Sequence, residues 1–383
     1  MAESINDAGY KQCAISVMDN IADPNIRFDE KGICNYYYEY LEAEKKFVLK
    51  GDEGKKKVDE TVSLLKNNGR GKKYDCILGV SGGVDSTYLA LTAKKLGLRV
   101  LCVHFDNGWN SELAVQNIEN IVTNCGFDLY TYVINWEEFR DIQLSYFKAG
   151  VIDIEAVTDI CIFLSLEKIC TKYKLNYVLS GTNVVTEQTL PYAWVNKDPA
   201  NLLNIHKKFG TVPLKSFPTI SRWKKNLTDF KKGYESISLL NYIDYNKKKA
   251  KQEIIRELGW KDYGGKHYES VFTRFYQGYI LPEKFKVDKR KAHLSNLIFS
   301  GQITREEALA ELTKPIYPAE QLTIDKPFVL KKLGFTDESF ATYLQAPVHN
   351  HSEFGSTKPL SEDFPLLKIL KPVKKILLKA GKR

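Results

Sequence analysis

The chain has no uninterrupted apolar run of about 18 residues, the length a membrane-spanning helix requires. Its first residues, Met1-Ala2-Glu3-Ser4, also lack the charged and apolar pattern of an export signal. The expectation is a cytoplasmic protein with no transmembrane segment. A disulfide framework is disfavoured as well, because the seven cysteines are an odd number and lie mostly inside apolar segments. What is present is an ordinary globular composition, 43% hydrophobic over 383 residues, long enough for two or three domains. The formal net charge of +9 rests largely on lysine clusters at 55 to 57, 247 to 249 and 371 to 382. Such a surface attracts nucleic acid, anionic lipid or phosphorylated metabolites, and it reads equally as solvated helix faces with a loose tail.

One stretch organises the rest. Cys76-Ile77-Leu78-Gly79-Val80 reads as a buried strand, Ser81-Gly82-Gly83-Val84-Asp85-Ser86 as a tight turn, and Thr87 to Leu96 as a helix. Adjacent glycines let backbone amides approach a ligand with no Cβ between, and the hydroxyls of Ser81, Ser86 and Thr87 add donors beside a helix N-terminus. The combination predicts a phosphate cradle. The P-loop of nucleoside triphosphatases needs a lysine after its last glycine, and here Asp85 stands in the comparable place, so magnesium between a carboxylate and the phosphates is expected instead of a lysine grip.

Strand and helix alternate onward. Arg99 to Phe105 reads as a second strand, and Ser111 as the N-cap of a helix closed by Gly126. Leu129 to Ile134 reads as a third strand, 136 to 148 and 159 to 173 as helices, and Tyr177 to Ser180 as a fourth strand. This rhythm predicts an α/β fold, a doubly wound parallel sheet covered on both faces, with ligands at the carboxyl ends of the strands. Gly181-Thr182-Asn183 then forms a second polar loop facing the first. His104-Phe105-Asp106-Asn107 sits at the end of the adjacent strand, where its backbone reaches adenine or simply turns at the surface. Asp159 opens a helix, where it either completes a magnesium site with Asp85 or complements the helix dipole.

The flanking regions are less regular. Near the N-terminus, Cys13 and Cys34 begin two knuckles whose second cysteines are replaced by Ser16 and Tyr37, and two cysteines alone cannot close a structural zinc site. A metal-free remnant packed by Tyr36, Tyr37 and Tyr38 is expected. After residue 200 the texture turns to lysine and aromatic residues. Asn246 caps a helix stopped by Gly259, a polar stretch runs from Tyr263 to Ser270, and Thr304 with Glu307 reads as a capping box. Lys266, Lys289 and Arg290 are candidate cations for a leaving pyrophosphate, although each also suits a solvated basic helix. The resulting layout is a knuckle region over 1–45, a helical linker over 46–70, a nucleotide domain over 71–200, a helical lobe over 201–350 for substrate or partner, and a basic mobile tail over 351–383.

The Ser-Gly-Gly-Val-Asp-Ser turn resembles the signature of the ATP pyrophosphatase (PP-loop) superfamily, whose members adenylate a carbonyl oxygen and release pyrophosphate. Four further features narrow the resemblance: the Cys13 and Cys34 knuckles, the segments His104 to Trp109 and Gly181 to Asn183, the stretch Gly264 to Ser270, and the run from Lys284 to Ala308. Together they are similar to the N-acetyl sugar amidotransferase family over roughly residues 10 to 320, although Ser16 and Tyr37 break the Cys-x-x-Cys pairs that members often carry.

The resemblance implies conversion of a sugar acetamido group to acetamidino for bacterial surface polysaccharide or flagellar glycan, with ATP and magnesium as cofactors. It places the phosphates on Ser81, Gly82, Gly83, Asp85 and Ser86, takes a nucleotide-linked sugar as substrate, and draws ammonia from a separate glutaminase subunit of the histidine-biosynthesis type. The chain agrees by omission, since no cysteine stands at position 2 and only six histidines are present.

Two rivals share the turn. A tRNA-modifying enzyme of the thiolation or lysidine type would use the same adenylation, but the broken cysteine pairs leave no persulfide or iron-sulfur site and the lysine clusters lack arginine and aromatic interleaving, so no nucleic acid is expected. A nucleotide-binding scaffold for the glutaminase would release no pyrophosphate.

Overall fold

The computed structural model describes residues 9–218, 234–265 and 268–356. Five parallel strands form its centre: β1 (Cys76–Gly79), β2 (Val100–Asp106), β3 (Asp128–Val133), β4 (Tyr177–Leu179) and β5 (Glu235–Ile237). They lie in the order β3-β2-β1-β4-β5, with Cys76 level with Val100 and Ile77 level with Val178. The order reverses between β1 and β4, the place where open parallel sheets of this kind take their ligands. The doubly wound parallel sheet is as the alternation of elements predicts, extended by β5.

Helices cover both faces. The first helix, α1 (Asn35–Phe47), buries Tyr40 and Ala43 against Val184, and on one face of the sheet lie α2 (Gly51–Asn68), α3 (Val84–Lys95) and α4 (Glu112–Cys125), joining an apolar cluster with Leu78, Val80 and Cys102. After α5 (Trp136–Ala149) comes α6 (Ala156–Tyr173), whose Ile169 and Cys170 meet Ile77, Leu101 and Val178 on the opposite face. The caps expected from sequence are in place. Ser111 Oγ accepts from Ala114 N, and Gly126 ends α4 in the left-handed region at φ +70°.

Beyond the short α7 (Val184–Glu187) and α8 (Pro199–Phe209), α9 (Lys247–Leu258) returns to the sheet and packs through Ala250, Ile254 and Leu258 with α3. Among the described residues, the chain continues through α10 (Val271–Phe275), a π turn over Tyr276–Ile280, α11 (Leu281–Phe285), α12 (Arg290–Phe299), α13 (Arg305–Leu312), α14 (Ala319–Leu333) and α15 (Asp337–Gln345).

A single apolar core crosses the boundary expected at residue 200. It joins Phe139, Tyr146, Ile160 and Leu164 of α5 and α6 to Leu202, Phe275, Leu330 and Phe340, and it includes Cys13, Met18 and Cys34. The N-terminal knuckles therefore rest on the helical lobe. Arg305 Nε donates to Ser16 O at 3.1 Å, and Lys291 pairs with Asp19. The region expected as a mobile tail begins docked, because His351 is buried and exchanges hydrogen bonds with Asn201 of α8. The rest of that tail, residues 357–383, lies outside the described residues, as does Lys266.

Candidate nucleotide site

The glycine turn leaves β1 and enters α3 with Gly83 as its N-cap. Gly82 sits at φ +80°, and a Cβ there would meet the Ala114 carbonyl oxygen at 2.8 Å, so both conformation and space demand glycine. Its carbonyl accepts from Trp260 Nε1 at 2.8 Å. Asn117 beside it binds both polar groups of the Lys261 backbone, at 2.7 and 2.9 Å. The loop after α9 thus anchors the turn from above. Within the turn, Ser86 and Thr87 donate to the Gly83 carbonyl at 3.2 and 2.7 Å, which uses the hydroxyl protons that the sequence offers to a ligand. Ser81 is the exposed hydroxyl of the three.

Asp85, one residue inside α3, gathers donors from two segments, 183–186 and 245–247. Tyr245 Oη lies 2.6 Å from its Oδ1, with Asn183 Nδ2 and Thr186 Oγ1 each at 3.4 Å, while Lys247 Nζ stands 4.0 Å from Oδ2. Burial first, then the Asp85 charge, pushes the Tyr245 phenol well above its ordinary range, so it stays the donor. The second loop meets the first at contact distance: a Cβ on Gly181 would lie 3.0 Å from Ser86 N. Thr182 shares hydrogen bonds with Ser180 at 2.8 Å and Ser238 at 3.3 Å, and Asn183 caps α7 through Thr186 N at 2.9 Å. Two loops therefore face each other across the reversal of strand order.

The end of β2 is bonded inwardly. His104 Nδ1 donates to Val80 O at 3.2 Å and Nε2 accepts from Asn110 Nδ2 at 3.0 Å, and burial lowers its pKa, so the ring is neutral. Phe105 stacks on Tyr132, Asp106 accepts from Gly108 N at 2.9 Å, and Asn107 accepts from Trp109 N at 3.1 Å.

Sequence reasoning missed the residues that roof the turn. A Cβ on Gly83 would lie 3.3 Å from Tyr263 Oη and 3.8 Å from Glu269 Oε1. Glu269 is set there by an antiparallel bridge: its carbonyl accepts from Ser111 N at 2.9 Å, and Val271 N donates to Trp109 O at 2.8 Å. The polar stretch from Tyr263 to Ser270 was the available signal, but spacing alone cannot say which loop it meets.

The other candidate charges are engaged elsewhere. Arg290 binds both oxygens of Asp288 and the carbonyls of Glu311, Leu312 and Lys314 at and just past the open end of α13. Lys289 lies 3.7 Å from Glu155, and Asp159 pairs with Lys197 at 2.9 Å. Among the described residues no group of three or more His, Cys, Asp and Glu is placed to hold a metal ion. Asp85 in the first turn of α3 and Glu269 over Gly83 fit magnesium only if phosphate oxygens supply the remaining ligands; Asp159, held by Lys197, does not extend that pair. Cys34 N donates to Cys13 Sγ at 3.3 Å and Ser16 Oγ lies 4.0 Å from Cys34 Sγ. The Cys34 contact draws the Cys13 thiol down to about 5, while Cys34 is raised. Two buried sulfurs do not make a zinc site.

Residues 269–371 match the family model described as LPS biosynthesis protein WbpG-like, C-terminal domain. The matched segment begins at the residue that roofs Gly83 and includes α10 to α15. An uncharacterized protein of Methanocaldococcus jannaschii is 26% identical over 317 residues, covering 81% of this chain and 95% of that protein. Among solved structures, NMN synthetase from Francisella tularensis aligns at 14% identity and TM-score 0.29, over 57% of this chain and 100% of that one. NH3-dependent NAD synthetase from Campylobacter jejuni aligns at 13% identity and TM-score 0.29, over 47% of this chain and 84% of that one. At that TM-score neither alignment bears on what this chain does.

Proposed function

We propose that this chain is an ATP-dependent amidotransferase that converts a sugar acetamido group to acetamidino for bacterial surface glycan. The observation that carries the reading is the contact of Gly181 with the first turn of α3, which sets two polar loops around one crevice at the carboxyl ends of β1 and β4. The WbpG-like segment supports the glycan-biosynthesis setting.

The amide oxygen attacks the α-phosphorus of ATP; the bond to the bridging oxygen breaks and its electron pair leaves with pyrophosphate. Ammonia then adds to the imidoyl carbon, the carbon-oxygen bond to AMP breaks, and the added nitrogen sheds a proton to give the amidine. Adenylation is needed because an amide oxygen is otherwise a poor leaving group. The backbone of Gly82 and Gly83 and the Ser81 hydroxyl hold the phosphates, and the first-turn amides of α3 offset their charge. Magnesium, held by Asp85 together with the phosphates, would neutralise charge on the leaving pyrophosphate. The Gly181-Thr182-Asn183 loop and the end of β2 enclose the nucleoside.

Ammonia comes from a separate glutaminase subunit. All seven cysteines are buried, which leaves no accessible thiol for glutamine hydrolysis in this chain. The test is incubation with candidate nucleotide sugars, ATP, magnesium and ammonium, followed by mass spectrometry. A product lighter by the difference between O and NH, with AMP and pyrophosphate in equal amounts, is expected. ADP as the product, or turnover with bulk tRNA and none with nucleotide sugars, overturns the reading.

A further inference from the structure

We propose that Glu269 is a second carboxylate of the nucleotide site, which together with Asp85 flanks the glycine turn and fixes the divalent cation that accompanies ATP. The inference rests on the nucleotide reading above and adds to it a residue from the WbpG-like segment.

Placement comes first. Glu269 Oε1 and Tyr263 Oη both stand over Gly83, the residue whose amide opens α3. The Tyr263 hydroxyl bonds Glu269. The mount is rigid. The carbonyl of Glu269 is bonded to Ser111 N, Ser270 caps α10 through Thr273 N at 3.2 Å, and the neighbouring Tyr268 ring carries the Arg274 guanidinium at 5.3 Å. Arg274 is itself fixed by both oxygens of Asp325 at 2.6 and 2.9 Å.

A carboxylate over an anion-binding turn has a definite electrostatic consequence. Glu269 and Asp85 together repel bare phosphates from the amides of α3, and a divalent cation between them reverses that sign. Magnesium takes one or two protein carboxylates and completes its shell with phosphate oxygens and water. Asp85 in the first turn of α3 and Glu269 over Gly83 meet that demand, and a third is not required.

The probe is Mn2+ with an α,β-methylene analogue of ATP, titrated by electron paramagnetic resonance against the full chain. Glu269→Gln is expected to weaken Mn2+ binding in the presence of the analogue by about tenfold or more. Affinity for the metal-free analogue should stay level or rise, because a repelling charge is gone. Equal losses with and without metal, or no change in either, overturn the proposal. Glu269→Asp keeps the charge and serves as the second variant if Glu269→Gln does not fold: a smaller loss confined to the metal-loaded analogue supports the proposal, and unchanged Mn2+ binding overturns it. A wild-type chain that binds the analogue neither with nor without Mn2+ overturns the nucleotide reading itself, and this inference with it.

Discussion

The phenolic oxygen of Tyr245 lies 2.6 Å from Asp85 Oδ1, so a residue beyond β5 fixes the rotamer of the carboxylate in the first turn of α3. With Oδ1 occupied, Oδ2 faces Lys247 at 4.0 Å. Tyr245→Phe should lose about 1.5–3 kcal/mol of stability, the worth of a hydrogen bond to a charged acceptor, and lower kcat/KM for pyrophosphate release about tenfold by loosening Asp85. Asp85→Ala should abolish pyrophosphate release while leaving the far-ultraviolet dichroism intact. Pyrophosphate production by that variant at the wild-type rate would remove Asp85 from the site.

Gly181 tests whether the two loops act together. Its Cβ would sit 3.0 Å from Ser86 N and 3.3 Å from Ser86 Cα, against backbone that cannot swing aside. Gly181→Ala should therefore push the loops apart, costing about 1–3 kcal/mol as overpacking does, and raise the Kd for an ATP analogue about tenfold. Calorimetric titration checks it; unchanged affinity with reduced stability would place the nucleotide away from this contact.

Arg290 separates chemistry from architecture. Its guanidinium closes the end of α13 and binds Asp288, so Arg290→Ala should lower stability by about 1–3 kcal/mol while kcat and KM stay within about threefold of wild type. Thermal melting paired with pyrophosphate kinetics decides it. A large fall in kcat without a fall in melting temperature would return Arg290 to the leaving group.

His351 makes acid stability predictable. Its Nε2 accepts from Asp153 N at 3.3 Å and its Nδ1 donates to Asn201 Oδ1 at 2.9 Å, an arrangement that only the neutral ring satisfies. Burial holds its pKa at about 4. The unfolded ring takes up a proton near pH 6.5 and the folded one near pH 4, so stability from this residue is complete above pH 6.5 and is lost as pH falls through that window, by about 3 kcal/mol. Asp153 acts in the opposite sense: burial raises its carboxyl to about 7, so its contribution declines as pH rises from the ordinary carboxylate range toward 7. Chemical unfolding of wild type and His351→Gln at pH 4.5 and 7.5 isolates the histidine: the stability at pH 7.5 minus that at pH 4.5 should be less positive in the variant, because the gain from the histidine is gone while the opposing loss from Asp153 remains.

Much of this arrangement is visible in local sequence. The apolar run before Ser81 and the glycines at 82 and 83 announce a strand, a turn and a helix, because hydrophobic periodicity and glycine freedom act over a few residues. The caps at Ser111, Asn246 and Thr304 follow from side-chain hydrogen bonds within one turn, and all three form. The three-residue β5 is too short to announce itself. Lys289 and Arg290 share a basic run with nothing local to distinguish them, yet one turns to Glu155 and the other to the end of α13.

From its order of residues alone the chain determines where backbone amides will be exposed to an anion and which strands will alternate with helices, since both depend on contacts between near neighbours. The tertiary structure decides who faces that turn. Tyr245, Trp260, Tyr263 and Glu269 arrive from about 160 or more residues away, placed by the packing of α9 on α3 and by the bridge between 109–111 and 269–271. Such meetings follow from burying apolar surface across the whole molecule, a global quantity that no short stretch of sequence contains.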